Sequence, residues 1–458
     1  VESRGLGDVY KRQKLTFEYH HMEEFRRGGD LLNRPPHEAN VAEQTEHSIN
    51  GGGLKFDYFS PNENHRFNVF ASAQHINRDS YYGPGDRDPL DAYGNTTDLN
   101  WMAGSQYVYS FGKCIFMPSD LTAGIEFNQD KLEDNMWGYN RTVDQKVNIG
   151  SAFLQNEWKN DHWGFLIGGR LDKHNLIDHV IFSPRANLRY NPTENINLRF
   201  SYSSGFRAPQ AFDEDLHVEN VGGNVAMVEL ADNLKEERSQ SLSASADIYH
   251  RFGAFQVNFL VEGFYTKLSD VFALTDGEVV DGILTRTRHN ASGAQVLGLT
   301  LEGKMAYLNK IQVQAGVTLQ QSHYSKPHIW NKEAPAVKKM MRTPNTYGYF
   351  TATYTPIKPL SIALSGTYTG SMLVPHEPVP GFLENPITVN TKDFFDIGLK
   401  AAYDFKLYKS MNLQLNAGIQ NIFNAYQDDF DKGADRDSGY IYGPSLPRSF
   451  FAGVKISY

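Results

Sequence analysis

The chain has 458 residues, of which 40% are hydrophobic, 13% aromatic and 21% charged, with a formal net charge of −9. Mean hydropathy is −0.49, and no apolar run approaches the ~18 residues of a spanning helix, which excludes a helical membrane protein. The single Cys114 excludes a disulfide scaffold and a Cys-based zinc site, and a pI near 5.9 argues against nucleic acid as the main partner.

No basic, apolar and small-residue targeting pattern follows Val1, so a targeting segment is expected to be cleaved or missing. Residues 1–13 show neither a helical nor a strand period and are expected to be a non-native or disordered leader. Residues 14–458 read as one β domain. At 195–203, Ile196, Leu198, Phe200 and Tyr202 alternate with Asn195, Asn197, Arg199, Ser201 and Ser203. The same period of two runs through 297–307, 311–320, 395–405 and 411–419. Such segments are strands with one apolar and one polar face. Most are as long as the about 9–11 residues of a membrane-spanning strand, where soluble strands average about 5–6.

In chain order the strands are expected to begin near 14, 44, 65, 97, 120, 146, 163, 180, 195, 238, 254, 294, 311, 344, 359, 393, 411 and 448. Short connections at 60–64, 191–195, 308–310 and 356–359 alternate with long polar ones at 27–42, 79–96, 205–237, 324–341, 373–390 and 425–447. Aromatic residues stand on the apolar face beside the short turns: Tyr190, Phe252, Tyr307, Tyr354, Tyr403, and the pair Trp158 and Trp163. Short turns on one rim, long loops on the other and an aromatic girdle describe an all-β, antiparallel transmembrane β-barrel in a bacterial outer membrane, its partner the lipid bilayer. The polar positions Arg199, Gln312, Gln314, Gln320, Lys400 and Gln414 are expected to face the bore.

Ser204-Gly205-Phe206-Arg207-Ala208-Pro209 closes one strand, and Asn233-Leu234-Lys235-Glu236-Glu237 opens the next. Near the end come Asn421-Ile422-Phe423-Asn424, then Tyr442-Gly443-Pro444 through Pro447-Arg448-Ser449-Phe450, and a terminal Tyr458. In order and spacing these resemble the motifs of TonB-dependent outer-membrane receptors. Ala231, Asp232 and Glu236 depart from that pattern, standing where the family has Asn, Pro and Pro. The resemblance implies a 22-stranded barrel filled by an N-terminal plug, importing iron chelates, cobalamin, haem or glycans. It further implies the TonB energy-transduction complex as partner, through an N-terminal part not recognisable here. Tyr458 is similar to the family's signal to the outer-membrane barrel assembly machinery. With about 18 strands against 22, the chain is expected to be a C-terminal part of such a receptor, without plug and first strands. A passive porin of about 18 strands is the alternative, and a barrel-borne hydrolase the third reading. No nucleophile elbow, HExxH or phosphate-binding glycine loop points to an enzyme.

Candidate ligand residues lie in the long loops. His217 stands among Asp213, Glu214, Asp215 and Glu219, and the resemblance implies that a His here can ligate haem as a transported ligand. A solvated loop His is the plainer reading. Tyr81, Tyr82, Tyr440 and Tyr442 are candidate substrate-stacking residues, against ordinary rim aromatics. The clusters Asp86, Asp88, Asp91 and Asp428, Asp429, Asp431, Asp435, Asp437 could gather around calcium, or be solvated loop acids. Arg207 could meet an anionic substrate or pair with Glu237 to tie the loop ends. His20 and His21 are successive strand residues and point to opposite faces.

Overall fold

A computed structural model describes residues 12–83, 88–221, 224–280, 283–408, 410–433 and 436–457. The expectations for residues 1–11, Asp86, Asp435 and Tyr458 therefore lie outside the described residues. One antiparallel meander dominates: a 19-stranded sheet in which only Val337–Lys339 is a short accessory strand. The eighteen long strands are Gln13–Gly29, Ala42–Phe59, His65–Gly83, Tyr93–Cys114, Met117–Met136, Arg141–Lys159, Trp163–His174, Ile181–Thr193, Ile196–Arg207, Glu237–Phe252, Phe255–Ser269, Ala294–Tyr307, Ile311–His328, Thr346–Ile357, Leu360–Thr369, Phe394–Tyr408, Met411–Gln420 and Ser449–Ser457. Each expected start falls within about five residues of one of them.

The alternation dictates the wall. Along Ile311–His328, Val313, Val317 and Leu319 share one face, while Gln312, Gln314, Thr318 and Gln320 share the other. Register carries this across the ladder, since Thr300 opposes Thr318 and Leu299 opposes Leu319. The apolar face is solvent-accessible in the isolated chain (Ile125 62%, Ile167 63%, Leu297 58%), as a lipid-facing surface must be. At the short-turn rim, Trp163 stacks on its cross-strand partner Tyr190 at 4.2 Å, Phe255 lies 4.5 Å from Tyr307, and Trp158 donates its indole N–H to the Cys114 carbonyl at 3.0 Å. Amphipathic rings at this level anchor a barrel at the headgroups.

Several strands run longer than the alternation indicates. Tyr93–Cys114 has 22 residues and Met117–Met136 has 20, so parts of the expected loop 79–96 are strand. The reason is solvent. In Met117–Met136 the outward face reads Leu121, Ala123, Ile125, Phe127 and then Gln129, Lys131, Glu133. Where the strand rises past the hydrocarbon both faces meet water, and the apolar signal ends before the strand does.

Large rings also occur on the bore face, and they lie against cross-strand glycines. Phe70 covers Gly104, Phe153 covers Gly124 and Phe264 covers Gly298; a Cβ added at these glycines would come within 2.6, 2.4 and 2.3 Å of the ring. Glycine is used here because only its missing side chain lets a ring pack onto the neighbouring strand. The hydrogen-bonded ladder runs from Gln13–Gly29, paired with Ala42–Phe59, to Ser449–Ser457, paired with Met411–Gln420. Among the described residues no ladder joins the first of these strands to the last.

Candidate functional site: the mouth

The long loops build structure of their own at one rim. Glu219–Val221 and Asn224–Leu230, from the loop that follows Arg207, join Phe272–Val280 and Ile283–Asn290 in a four-stranded sheet, with Asn224–Leu230 and Ile283–Asn290 parallel. An apolar core forms beneath it from Ala39, Ala42, Tyr81, Tyr82, Ala92, Met136, Tyr139, Val218 and Met227. These residues come from several separate loops and strand ends, so burial welds the mouth into one body.

Charge completes the weld. Asp134, 1% exposed, accepts from the Arg141 guanidinium at 2.8 Å and lies 3.6 Å from that of Arg78. Arg141 also donates to the Leu216 carbonyl at 2.7 Å, which fastens the short helix Asp213–Leu216 to the wall. Asp215 pairs with Arg288 at 2.5 Å and accepts from the Phe212 amide. Buried charges of this kind are tolerated only when paired and hydrogen-bonded. Below them is a cavity of roughly 800 Å³, lined by Glu24, Glu43, His47, Asp98, Asp130 and His217 among others. Its walls mix charged with apolar side chains such as Ile49, Ile76, Leu132 and Phe212, and come from both the barrel and the returning loop.

The family-like motifs act as joints. Arg207 and Glu237 are registered opposite each other at the top of the ladder. The Arg207 guanidinium lies 4.0 Å over the Phe212 ring, and the Glu237 carboxylate accepts from the Phe272 amide. The loop ends are thus tied by backbone pairing, a cation–π stack and a hydrogen bond to the neighbouring loop. Leu234 closes a turn onto the Ala231 carbonyl, and the Lys235 amide and carbonyl both bind the side chain of Asn290. Ala208 is buried, as is Glu236, which pairs with Arg238 at 2.8 Å and His179 at 3.1 Å. At the other motif, Asn421 (φ 49°) and Asn424 (φ 54°) adopt the left-handed backbone that Asn tolerates. The Asn421 amide donates to the Ala425 and Leu446 carbonyls, gathering both ends of the last loop.

The expected ligand residues separate. His217 lines the cavity, 3.5 Å from the Glu43 carboxylate and edge-on to Tyr82 at 5.1 Å. Of its acidic neighbours only the Asp215 side chain is described, and it turns to Arg288. Tyr82 also lines the cavity, whereas Tyr81 is 1% exposed in the core and packs edge-on to Tyr93 at 4.8 Å. Asp88 caps the short 3-10 turn Pro89–Ala92. The calcium reading finds no shared centre. Asp428 pairs with Lys392 at 2.9 Å, Asp431 with His376 at 2.9 Å, and Asp437 accepts the Glu377 and Gly439 amides. Among the described residues no three His, Cys, Asp or Glu side chains converge as a metal would need.

Tyr440 and Tyr442 do converge, on Asp429. Tyr442 donates to its two oxygens at 2.6 and 2.8 Å, and Tyr440 at 3.3 Å. Burial, with the neighbouring carboxylate, pushes the Tyr440 phenol up to about 12 and raises that of Tyr442 further. The partners that position these groups were not legible in the pattern. Gln427, 3% exposed, donates to the Tyr440 carbonyl and accepts the Tyr442 amide. His376 stacks on Tyr440 with centroids 3.7 Å apart. Its buried pairing with Asp431 joins residues 55 apart in sequence, and no local signal announces it.

A family model described as TonB dependent receptor-like, beta-barrel matches residues 5–422. No curated protein sequence matches the chain. Among solved structures it is similar to the ferric-catecholate import receptor Fiu of Escherichia coli K12 in its closed form, with TM-score 0.69, 13% identity, and coverage of 97% of this chain and 72% of that one. The siderophore receptor PirA of Acinetobacter baumannii gives 0.68, 13%, 98% and 69%, and the FrpB iron transporter of Neisseria meningitidis 0.68, 14%, 98% and 70%. Eighteen lipid-facing strands, motif joints at the rim and this match converge: the chain belongs to the TonB-dependent receptor-like β-barrel family of the bacterial outer membrane.

Proposed function

We propose that this chain forms the wall and mouth of an importer, energised through the TonB complex, for a scarce nutrient such as an iron chelate, cobalamin or haem. The carrying observation is the cavity of roughly 800 Å³, of mixed charged and apolar lining, that the barrel wall and the returning loop enclose at the rim where a solute would arrive. Rigid scaffolds bearing structured loops are where capture sites form. Fiu, a ferric-catecholate import receptor, and FrpB, an iron transporter, support the same direction.

Two unpaired strand edges in hydrocarbon would each expose backbone donors and acceptors at several kcal/mol apiece. The proposed importer therefore has its first and last described strands paired in the membrane, and, as the resemblance to the receptor family implies, a plug in its bore. The test is uptake of radio-iron chelates, labelled cobalamin and haem by cells expressing the complete gene, with and without a TonB-deficient background. Energy-dependent uptake of one of them is the expected result. A large, ungated unit conductance from this chain alone in planar bilayers would instead favour the porin. For haem specifically, His217→Ala should weaken binding and alter the visible spectrum, because the imidazole lines the cavity; an unchanged spectrum removes haem.

A further inference from the structure

The cavity at the mouth pairs unmatched carboxylates with an apolar wall, and we propose that it takes an organic cation: a solute bearing ammonium or guanidinium groups on an apolar body. The inference rests on the capture reading of this cavity and narrows it by naming the charge of what is captured. The guanidiniums of the lining are already engaged. Arg26 bonds Glu24 at 2.8 Å, and Arg27 turns to the Gly28 and Asp30 carbonyls at 3.2 and 3.4 Å. Arg78, 5% exposed, donates to the Thr96 hydroxyl at 3.0 Å and lies beside Asp134.

The carboxylates are not matched in the same way. Glu43 meets the His217 imidazole at 3.5 Å, and Asp130 meets the Asn100 side-chain amide at 3.5 Å. Among the described residues neither has a Lys or Arg partner. Asp98 stands diagonally across from Asp130 on the neighbouring strand, since Asp98 opposes Leu132 and Asn100 opposes Asp130. Such diagonal positions lie about 7–8 Å apart. Two carboxylates held side by side repel each other, and a cation placed before them relieves that repulsion.

The wall beside these acids is apolar. Ile49, Ile76, Asp98 and Leu132 stand in one cross-strand row, and Phe212 and Leu216 close the cavity from the returning loop. A bare metal ion would gain nothing from such a surface, and among the described residues no three acidic, Cys or His side chains converge on a point. An organic cation gains twice: its charged end meets Asp98 and Asp130, and its apolar part leaves water. Tyr82 adds an aromatic ring for the cation. The loop supplies the long-range field. Between Arg207 and Lys235 it carries Asp213, Glu214, Asp215, Glu219, Glu229 and Asp232 and no Lys or Arg. Of these, Asp215 is neutralised by Arg288. Negative potential at a cleft concentrates cations and speeds their arrival, whereas an anionic solute is repelled.

The experiment titrates the tripeptide amide Arg-Phe-Lys, and its charge-reversed counterpart acetyl-Glu-Phe-Asp, into the full chain in non-ionic detergent micelles, with heat measured against empty micelles. The cationic peptide should bind saturably at one site per chain, more weakly as ionic strength rises, and the anionic one should not bind. Asp130→Asn and Glu43→Gln should each weaken the cationic peptide about tenfold. Asp144→Asn, which removes an exposed acid opposite Glu133 on the outer surface, should leave it unchanged. Equal or tighter binding of the anionic peptide, or cationic binding that both cavity variants leave intact, overturns the charge assignment while the capture reading stands. Binding of neither peptide overturns it as well, and the uptake assay then judges the capture reading separately. Should a variant fail to fold, as judged by heat-modifiable migration, the comparison of the two peptides on the unaltered chain still decides.

Discussion

The wall and the mouth of this molecule are stabilised in different ways. In the wall each residue has its partner fixed by register, so Ser241 meets Thr266 and Thr300 meets Thr318 simply because the strands are neighbours. In the mouth the contacts join residues far apart in sequence: Arg141 reaches Leu216, and Gln145 reaches Ala211. The wall is a repeated local solution, and the loss of one rung is shared among many. The mouth rests on a few buried charges and one small apolar core, so single substitutions there should be felt more.

The largest expected effect is at Arg141. Arg141→Ala would leave Asp134 with the Thr96 hydroxyl at 2.6 Å and the more distant Arg78 as its remaining partners, and breaking a buried pair typically costs about 3–5 kcal/mol. Hydrogen exchange should show the 211–221 segment deprotected while the strands stay protected; equal deprotection of wall and mouth would erase the contrast. Next comes the wall itself. Gly124→Val would place a Cβ within 2.4 Å of the Phe153 ring, and overpacking of this kind costs about 1–3 kcal/mol, read as a lower urea midpoint for barrel unfolding. A smaller effect is expected for Asn290→Ala, which removes side-chain bonds to the Lys235 amide and carbonyl and to the Asp270 carbonyl. Roughly 1–2 kcal/mol should be lost locally at residues 231–237, with the unfolding midpoint of the wall unchanged.

The smallest effect depends on pH. Burial raises the Glu377 carboxyl, against the opposing pull of Arg286 and Asn331. A carboxyl whose folded value is raised contributes stability below its ordinary range and loses it as pH climbs through the raised value. Exchange protection around residues 372–377 should therefore decline as pH rises from the usual carboxylate range through the raised one. Glu377→Gln should flatten that profile; an unchanged profile in the variant would assign the dependence elsewhere.

The same division governs what the sequence discloses. Period-two segments such as 311–320 located every long strand, because lipid on one side and water on the other imprint alternation residue by residue. The imprint fades where both faces are wet, which is why Tyr93–Cys114 extends beyond its apolar part. Motif residues marked the joints, yet Arg207 lies over Phe212, a stack that no spacing rule specifies. Likewise Tyr440 and Tyr442 stand out as aromatic loop residues, but their meeting at Asp429 depends on Gln427 and His376 arriving from either side. Long-range closure of this kind leaves no periodic trace.

The rings laid over Gly104, Gly124 and Gly298 carry a consequence for whatever occupies the barrel. At these three positions the ring lies flat against the strand beside it, so the bore wall there is lower than a phenylalanine standing on an ordinary strand would make it. The added width at Gly104, Gly124 and Gly298 is lost if any of them gains a side chain, because the ring must then stand away from the wall and into the bore.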